Sequence, residues 1–219
     1  MAASIPLADP PTRDDLRIFL ERLLRAGHPE VRLVARDAAV AVFGCTQSPR
    51  GITDQVPVVL VMRAFALAEP IGRPVDTTVE ARALLDRIAR LDAGGAPAGL
   101  PLDLPDVTAS AAWAGVLPPV SGWQAAGALD APSLAAVAAD GMARVAARLP
   151  ADPGEAVVHR VRSSVWGTEV APGIPAAAAF AAEAMGFLRG EERLRIARSL
   201  TWIRLTASRG HVLVRSLLG

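Results

Sequence analysis

Arg204 and Arg215 come nearer to a recognisable chemistry than any other residues of this chain. They flank Ser208-Arg209-Gly210 in a segment that reads as a closing β-hairpin, Ser199–Ala207 followed by His211–Leu217. A two-residue loop at Arg209-Gly210, or a four-residue loop over Ser208–His211, pairs Ala207 with Val212. Ile203, Leu205, Ala207, Val212 and Val214 then form one apolar face, and Trp202, Arg204, Thr206, Leu213 and Arg215 form the other. In that register Arg204 lies directly opposite Arg215. Like charges facing each other across a ladder repel unless an anion sits between them. Two guanidinium forks beside an indole suit a small anionic ligand, with Trp202 as its floor. A carboxylate from a neighbouring element would neutralise the same pair, and structural ion pairs are the commoner arrangement.

Arg63 is the second unusual cation. Its same-face neighbours along the strand are Val59, Val61, Phe65 and Leu67, so it must be paired or reach water along its stem. If it shares a face with Arg204 and Arg215, it enlarges a basic surface. Arg63, Arg204, Arg215 and Trp202 are therefore the candidate ligand-binding set, with structural pairing the favoured reading for Arg63.

The remaining reactive residues lack partners at the spacing that chemistry needs. His159 lies on an amphipathic helix with Arg162 on its face, and no nucleophile motif accompanies it. Cys45 ends an apolar strand with no basic neighbour in sequence, which predicts a buried, inert thiol. His28, His159 and His211 are isolated, with none of the spacings typical of a metal site. There is no Walker A segment. Gly94-Gly95, followed by Gly99, lacks the strand–turn–helix setting of a dinucleotide loop, and no Gly-x-Ser-x-Gly elbow occurs. No catalytic residue, metal or cofactor is assigned.

Composition sets wider limits. The 219 residues are 52% hydrophobic, enough for a substantial core without metal or disulfide. The formal charge of +1 supplies no polyelectrolyte attraction, so nucleic acid is expected to be an unlikely partner. All 23 basic side chains are Arg, a pattern that GC-rich bacterial codon usage produces by itself. That weakens any argument from the choice of Arg at a single site. One cysteine allows no intrachain disulfide, and residues 1–15 lack the pattern of a signal peptide, so a cytoplasmic location is expected. Arg63 and Glu183 interrupt the two most apolar windows, so no membrane span is expected.

The elements that would position these residues follow from periodicity. Thr12 and Asp15 resemble a capping box opening a helix with Leu16, Phe19, Leu20, Leu23 and Leu24 inward. Val31–Ala35 and Ala39–Cys45 read as a hairpin about Asp37-Ala38, with Val31, Leu33 and Ala35 opposite Gly44, Val42 and Val40. A loop over Thr46–Gln55 precedes a strand Val58–Ala68. Thr77 and Glu80 suggest the start of a second helix, ended by Gly94-Gly95. Residues 93–106 form an irregular Gly/Pro-rich connection, and Val107–Ala114 reads as a weak strand. Helices opening at Pro132, Asp152–Glu155 and Pro175 follow, the last ending at Gly190. The i+4 rows Ala135, Ala139, Ala143, Ala147 and Ala178, Ala182, Gly186, Gly190 suggest close helix packing, inside the fold or in a homodimer.

The reading is one α+β domain over 1–219, with a mainly antiparallel sheet of five or six strands and about five packed helices. The expected function is a non-catalytic bacterial binding or interaction protein. The alternatives are an enzyme or binder for a small anionic ligand on the Arg/Trp face, and, less favoured, a nucleic-acid binder.

Overall fold

The computed structural model describes residues 4–51, 54–93 and 101–215. The helix stop at Gly94-Gly95, Gly99 and the hairpin end at Leu217 lie outside the described residues, as do 52–53 of the expected loop.

In chain order the elements are β1 (Ser4–Ile5), α1 (Pro10–Ala26), β2 (Glu30–Arg36), β3 (Ala39–Gln47), β4 (Val58–Ala66), β5 (Val75–Glu80), α2 (Ala81–Ala93) and β6 (Leu102–Asp103). A short 3-10 turn, Ala112–Gly115, leads to β7 (Gln124–Asp130), α3 (Ala131–Arg148) and α4 (Glu155–Trp166). Then come β8 (Glu169–Ala171), β9 (Ile174–Pro175), α5 (Ala176–Ala184), β10 (Arg193–Ser199), β11 (Trp202–Ala207) and β12 (Gly210–Arg215).

The main sheet has eight strands in the order β5-β2-β3-β4-β12-β11-β10-β7, not the five or six expected. Two two-stranded sheets, β1-β6 and β8-β9, accompany it. Three strands account for the undercount. The Val75–Glu80 segment alternates β-branched residues and pairs antiparallel with β2, so Thr77 and Glu80 belong to a strand rather than a capping box. The β10 strand buries Leu194 and Ile196 at period two. The β7 sequence, QAAGALD, has little strand propensity of its own and is held by antiparallel pairing with β10. Conversely, Val107–Ala114 is not a strand, and it runs into the 3-10 turn.

Contacts divide the chain into two compact units. Unit 1 comprises 1–45 and 62–117, and unit 2 comprises 46–61 and 118–219.

In unit 1, α1 is opened by Asp9, whose carboxylate accepts the Thr12 amide at 2.7 Å, with prolines at the first helical positions. The expected cap at Thr12 is therefore displaced three residues towards the N-terminus. Leu16, Phe19, Leu20 and Leu23 form the buried stripe, and Phe19 meets Phe65 edge-on at 6.1 Å. The β2–β3 hairpin has the expected register, Val31↔Gly44, Leu33↔Val42 and Ala35↔Val40, with Asp37 in the left-handed region at the turn. Cys45 is fully buried.

In unit 2, α5 is buried nearly all round through Ala176–Ala179, Ala181 and Ala182, as a central helix should be. The α3 stripe is Ala131, Leu134, Ala138 and Gly141. Ala139, Ala143 and Ala147 are exposed, so that row does not pack; Ala178 and Ala182 on α5 do. Met142 is exposed. At Gly141 a Cβ would lie 2.2 Å from the Trp166 ring, so the absence of a side chain lets α3 and α4 approach. No described helix is long and apolar enough to cross a membrane.

Candidate functional site

The closing hairpin keeps the expected faces but not the expected register. Ala207 pairs with Gly210, so the loop is Ser208-Arg209. Glu192 accepts both the Ser208 amide and its hydroxyl, fixing the turn one residue earlier than the Arg-Gly dipeptide suggests. The ladder is thereby shifted by two positions relative to the expected pairing of Ala207 with Val212. Arg204 stands opposite Leu213, and Arg215 stands opposite Trp202. A shift of two preserves the alternation of faces, which is why the apolar pattern alone did not exclude it.

Trp202, Arg204 and Thr206 share a face with His211, Leu213 and Arg215 on β12. The β10 register adds Arg195, opposite Thr206. Arg195, Arg204 and Arg215 therefore descend diagonally across three adjacent strands, each step one strand over and two residues along. Such diagonal neighbours stand about 7–8 Å apart.

Aromatic rings, not carboxylates, accompany these arginines. The Arg204 guanidinium lies 4.4 Å from the centre of the Trp123 ring, and that of Arg215 lies 5.6 Å from the Trp202 ring. Trp123 is fixed by donating its indole N–H to the Pro119 carbonyl at 2.9 Å. Trp202 is buried, so its ring serves as packing beneath Arg215 rather than as an open platform. The Arg204 Nε is buried without a hydrogen-bond partner. Burial, and then the nearby Arg195 charge, lower the Arg204 pKa below its ordinary value. His211 shares its Nδ1 with the Thr206 hydroxyl at 3.0 Å, and burial followed by the charges of Arg204 and Arg195 pushes its pKa down to about 4. Sequence reasoning missed Arg195 and Trp123. Arg195 was legible only through the β10 pairing, and Trp123 has no sequence signal linking it to Arg204.

Arg63 lies in unit 1. It pairs with Asp15 of α1 and stacks at 5.4 Å from the Phe65 ring. It is thus engaged within its own unit.

The other titratable cluster surrounds His159, in unit 2. Asp54 accepts the amides of Arg50 and Val56 at 3.0 and 3.2 Å and meets His159 Nε2 at 3.0 Å. Burial raises the Asp54 pKa, but those amides and His159 outweigh it and leave the carboxyl below its usual value. Ser163, one turn along α4, lies 3.4 Å from the same Nε2. A relay requires the nucleophile on one ring nitrogen and the orienting carboxylate on the other. Here both meet Nε2, so the three groups do not form one. The arrangement ties Asp54 to α4, and Arg50 adds a second link through Glu155 at 2.6 Å. Among the described residues no three His, Cys, Asp or Glu side chains are placed to hold a metal.

The family model for a domain of unknown function, DUF8010, matches residues 1–114. The chain belongs to that family. A second model, DUF8185, also a domain of unknown function, matches residues 118–219. No curated protein matches the chain.

Solved structures do resemble it. A DNA polymerase sliding clamp from Pseudomonas aeruginosa superposes with a TM-score of 0.51 at 16% identity, over 99% of this chain and 65% of its own. The polymerase III beta protein of Caulobacter crescentus gives 0.50 at 13% identity, over 99% and 66%. The sliding clamp of Bartonella birtlesii, solved with griselimycin, gives 0.52 at 14%, over 100% and 66%. The fold is therefore that of a sliding clamp, and the chain spans just under two thirds of the length of these relatives. This likeness overturns the expectation, drawn from net charge, that nucleic acid is an unlikely partner. Net charge is a property of the whole chain. It says nothing of local charge, so a near-neutral total excludes no class of partner.

Proposed function

We propose that this protein is a non-catalytic binding protein of the sliding-clamp type that associates with DNA. The observation that carries the reading is the superposition of essentially the whole chain on DNA polymerase sliding clamps. The His159 cluster supports the non-catalytic part, because its hydrogen bonds converge on one ring nitrogen.

The test is association of the purified protein with labelled duplex DNA across a salt series, on linear fragments with free ends and with ends blocked by bound protein. The expected result is salt-weakened binding with longer retention on blocked than on free-ended DNA. Absence of binding to either, at low and physiological salt, would overturn the proposal.

A further inference from the structure

The diagonal of Arg195, Arg204 and Arg215 is unusual because, among the described residues, no carboxylate pairs with any of the three. Arg193, one step along β10, marks the contrast: it is held by Asp130 at 3.0 Å. Acidic groups are thus within the strand system, yet none reaches the diagonal. Like charges set on neighbouring strands repel, so the row is uncompensated within the unit. Arg195 is exposed, while Arg204, His211 and Arg215 are half-buried. Arg204 has lost water around its Nε without gaining a partner, and its guanidinium lies over the Trp123 ring.

We propose that this face of unit 2 is a docking surface for an extended, acidic segment of a partner protein. The spacing is the argument. Two diagonal steps of about 7–8 Å place the outer arginines roughly 15 Å apart. Alternate residues of an extended peptide stand about 6.6–6.8 Å apart, so carboxylates at positions i, i+2 and i+4 span roughly 13–14 Å on one side. Long Asp or Glu side chains and flexible guanidiniums absorb the remaining difference. Carboxylates would reach one arginine each, with His211 remaining neutral at physiological pH and available as a hydrogen-bonding neighbour. Trp202 and Leu213, both buried on this face, supply the rigid floor. The inference goes beyond the clamp reading and stands without it, because it concerns a protein partner and a sheet face within one unit.

The experiment uses the full chain and a capped ten-residue peptide with Glu at alternate positions separated by Thr. Controls are the Gln counterpart, a peptide of the same composition with its Glu residues in one block, and a single-stranded oligonucleotide of similar charge. Binding is read by tryptophan fluorescence and by calorimetry at low and physiological salt. Expected is binding of the alternating peptide, at least fivefold tighter than the block peptide, and weakened by salt. R195Q and R215Q should each weaken it by roughly two- to fivefold, in line with exposed charge pairs, while the unfolding midpoint is retained. R204K should keep the charge but weaken binding, because the planar fork over Trp123 is lost. Equal binding of alternating and block peptides, tighter binding of the oligonucleotide, indifference to R195Q and R215Q, or no binding of the alternating peptide at low salt would each overturn the proposal. DNA association in the blocked-end assay is a separate readout, so loss of one result leaves the other intact.

Discussion

Arg32, Arg63 and Arg13 of unit 1 and Arg204 and Arg215 of unit 2 are accommodated in different ways. In unit 1, Arg32 makes a two-pronged pair with Asp76 at 2.7 and 2.8 Å and reaches the Ala114 carbonyl with its remaining nitrogen. Arg63 meets Asp15, and Arg13 meets Asp92 at 2.8 Å. In unit 2, Arg204 and Arg215 are seated on indoles, and Arg162 lies 5.8 Å from the Phe180 ring. A carboxylate satisfies both the charge and the hydrogen bonds of a guanidinium. A ring satisfies only one face of it and leaves the edge N–H groups for another acceptor. The first arrangement is complete by itself, and the second is receptive.

The largest expected effect tests the aromatic framework of unit 2. Gly141→Ala should cost about 2–3 kcal/mol, because the new Cβ would meet the Trp166 ring, which Phe180 backs at 4.8 Å. Chemical denaturation measures it. An unchanged midpoint would mean that the ring has room to move and that the framework is softer than described.

The next breaks the complete arrangement. Asp76→Ala should destabilise the protein by about 1–3 kcal/mol, since it strips a half-buried guanidinium of its bidentate partner. The double substitution with Arg32→Ala should recover part of that loss, which a double-mutant cycle reads directly. Arg215→Ala removes no ion pair and should cost less, about 1 kcal/mol from lost ring contact. If Arg215→Ala proves the more damaging, the contrast between the units fails.

A smaller effect sharpens the electrostatic side. The folded pKa of His211 is depressed to about 4, below the unfolded value near 6.5, so the unfolded chain binds the proton more tightly. Its contribution is therefore fully retained above pH 6.5 and declines as pH falls towards 4. For a half-buried ring the loss should be on the order of 1 kcal/mol after solvent screening. His211→Gln should flatten the stability profile in that window. NMR titration of the imidazole in the native protein should find it neutral at pH 6, and an ordinary midpoint would remove the cationic surroundings invoked here.

The sequence alone determined the local hairpins and the faces of their strands. Alternation of Val31, Leu33 and Ala35 with charged neighbours fixed the β2–β3 pairing, because a tight turn at Asp37 left one register. The same alternation sorted Ile203 and Leu205 from Trp202 and Arg204, and the apolar run around Cys45 foretold its burial. What alternation could not set was a shift by two, since period-two patterns are blind to it; Glu192, remote from the loop, decided that. Nor could it find β7, whose alanines and glycine become a strand only by pairing with β10. Partners of charged groups were equally illegible: Asp15 lies 48 residues from Arg63, and Asp76 lies 44 from Arg32. Charge pairing is a through-space property. Which arginines are neutralised and which are left open was decided by tertiary structure alone, because only the fold brings distant carboxylates to some guanidiniums and rings to others.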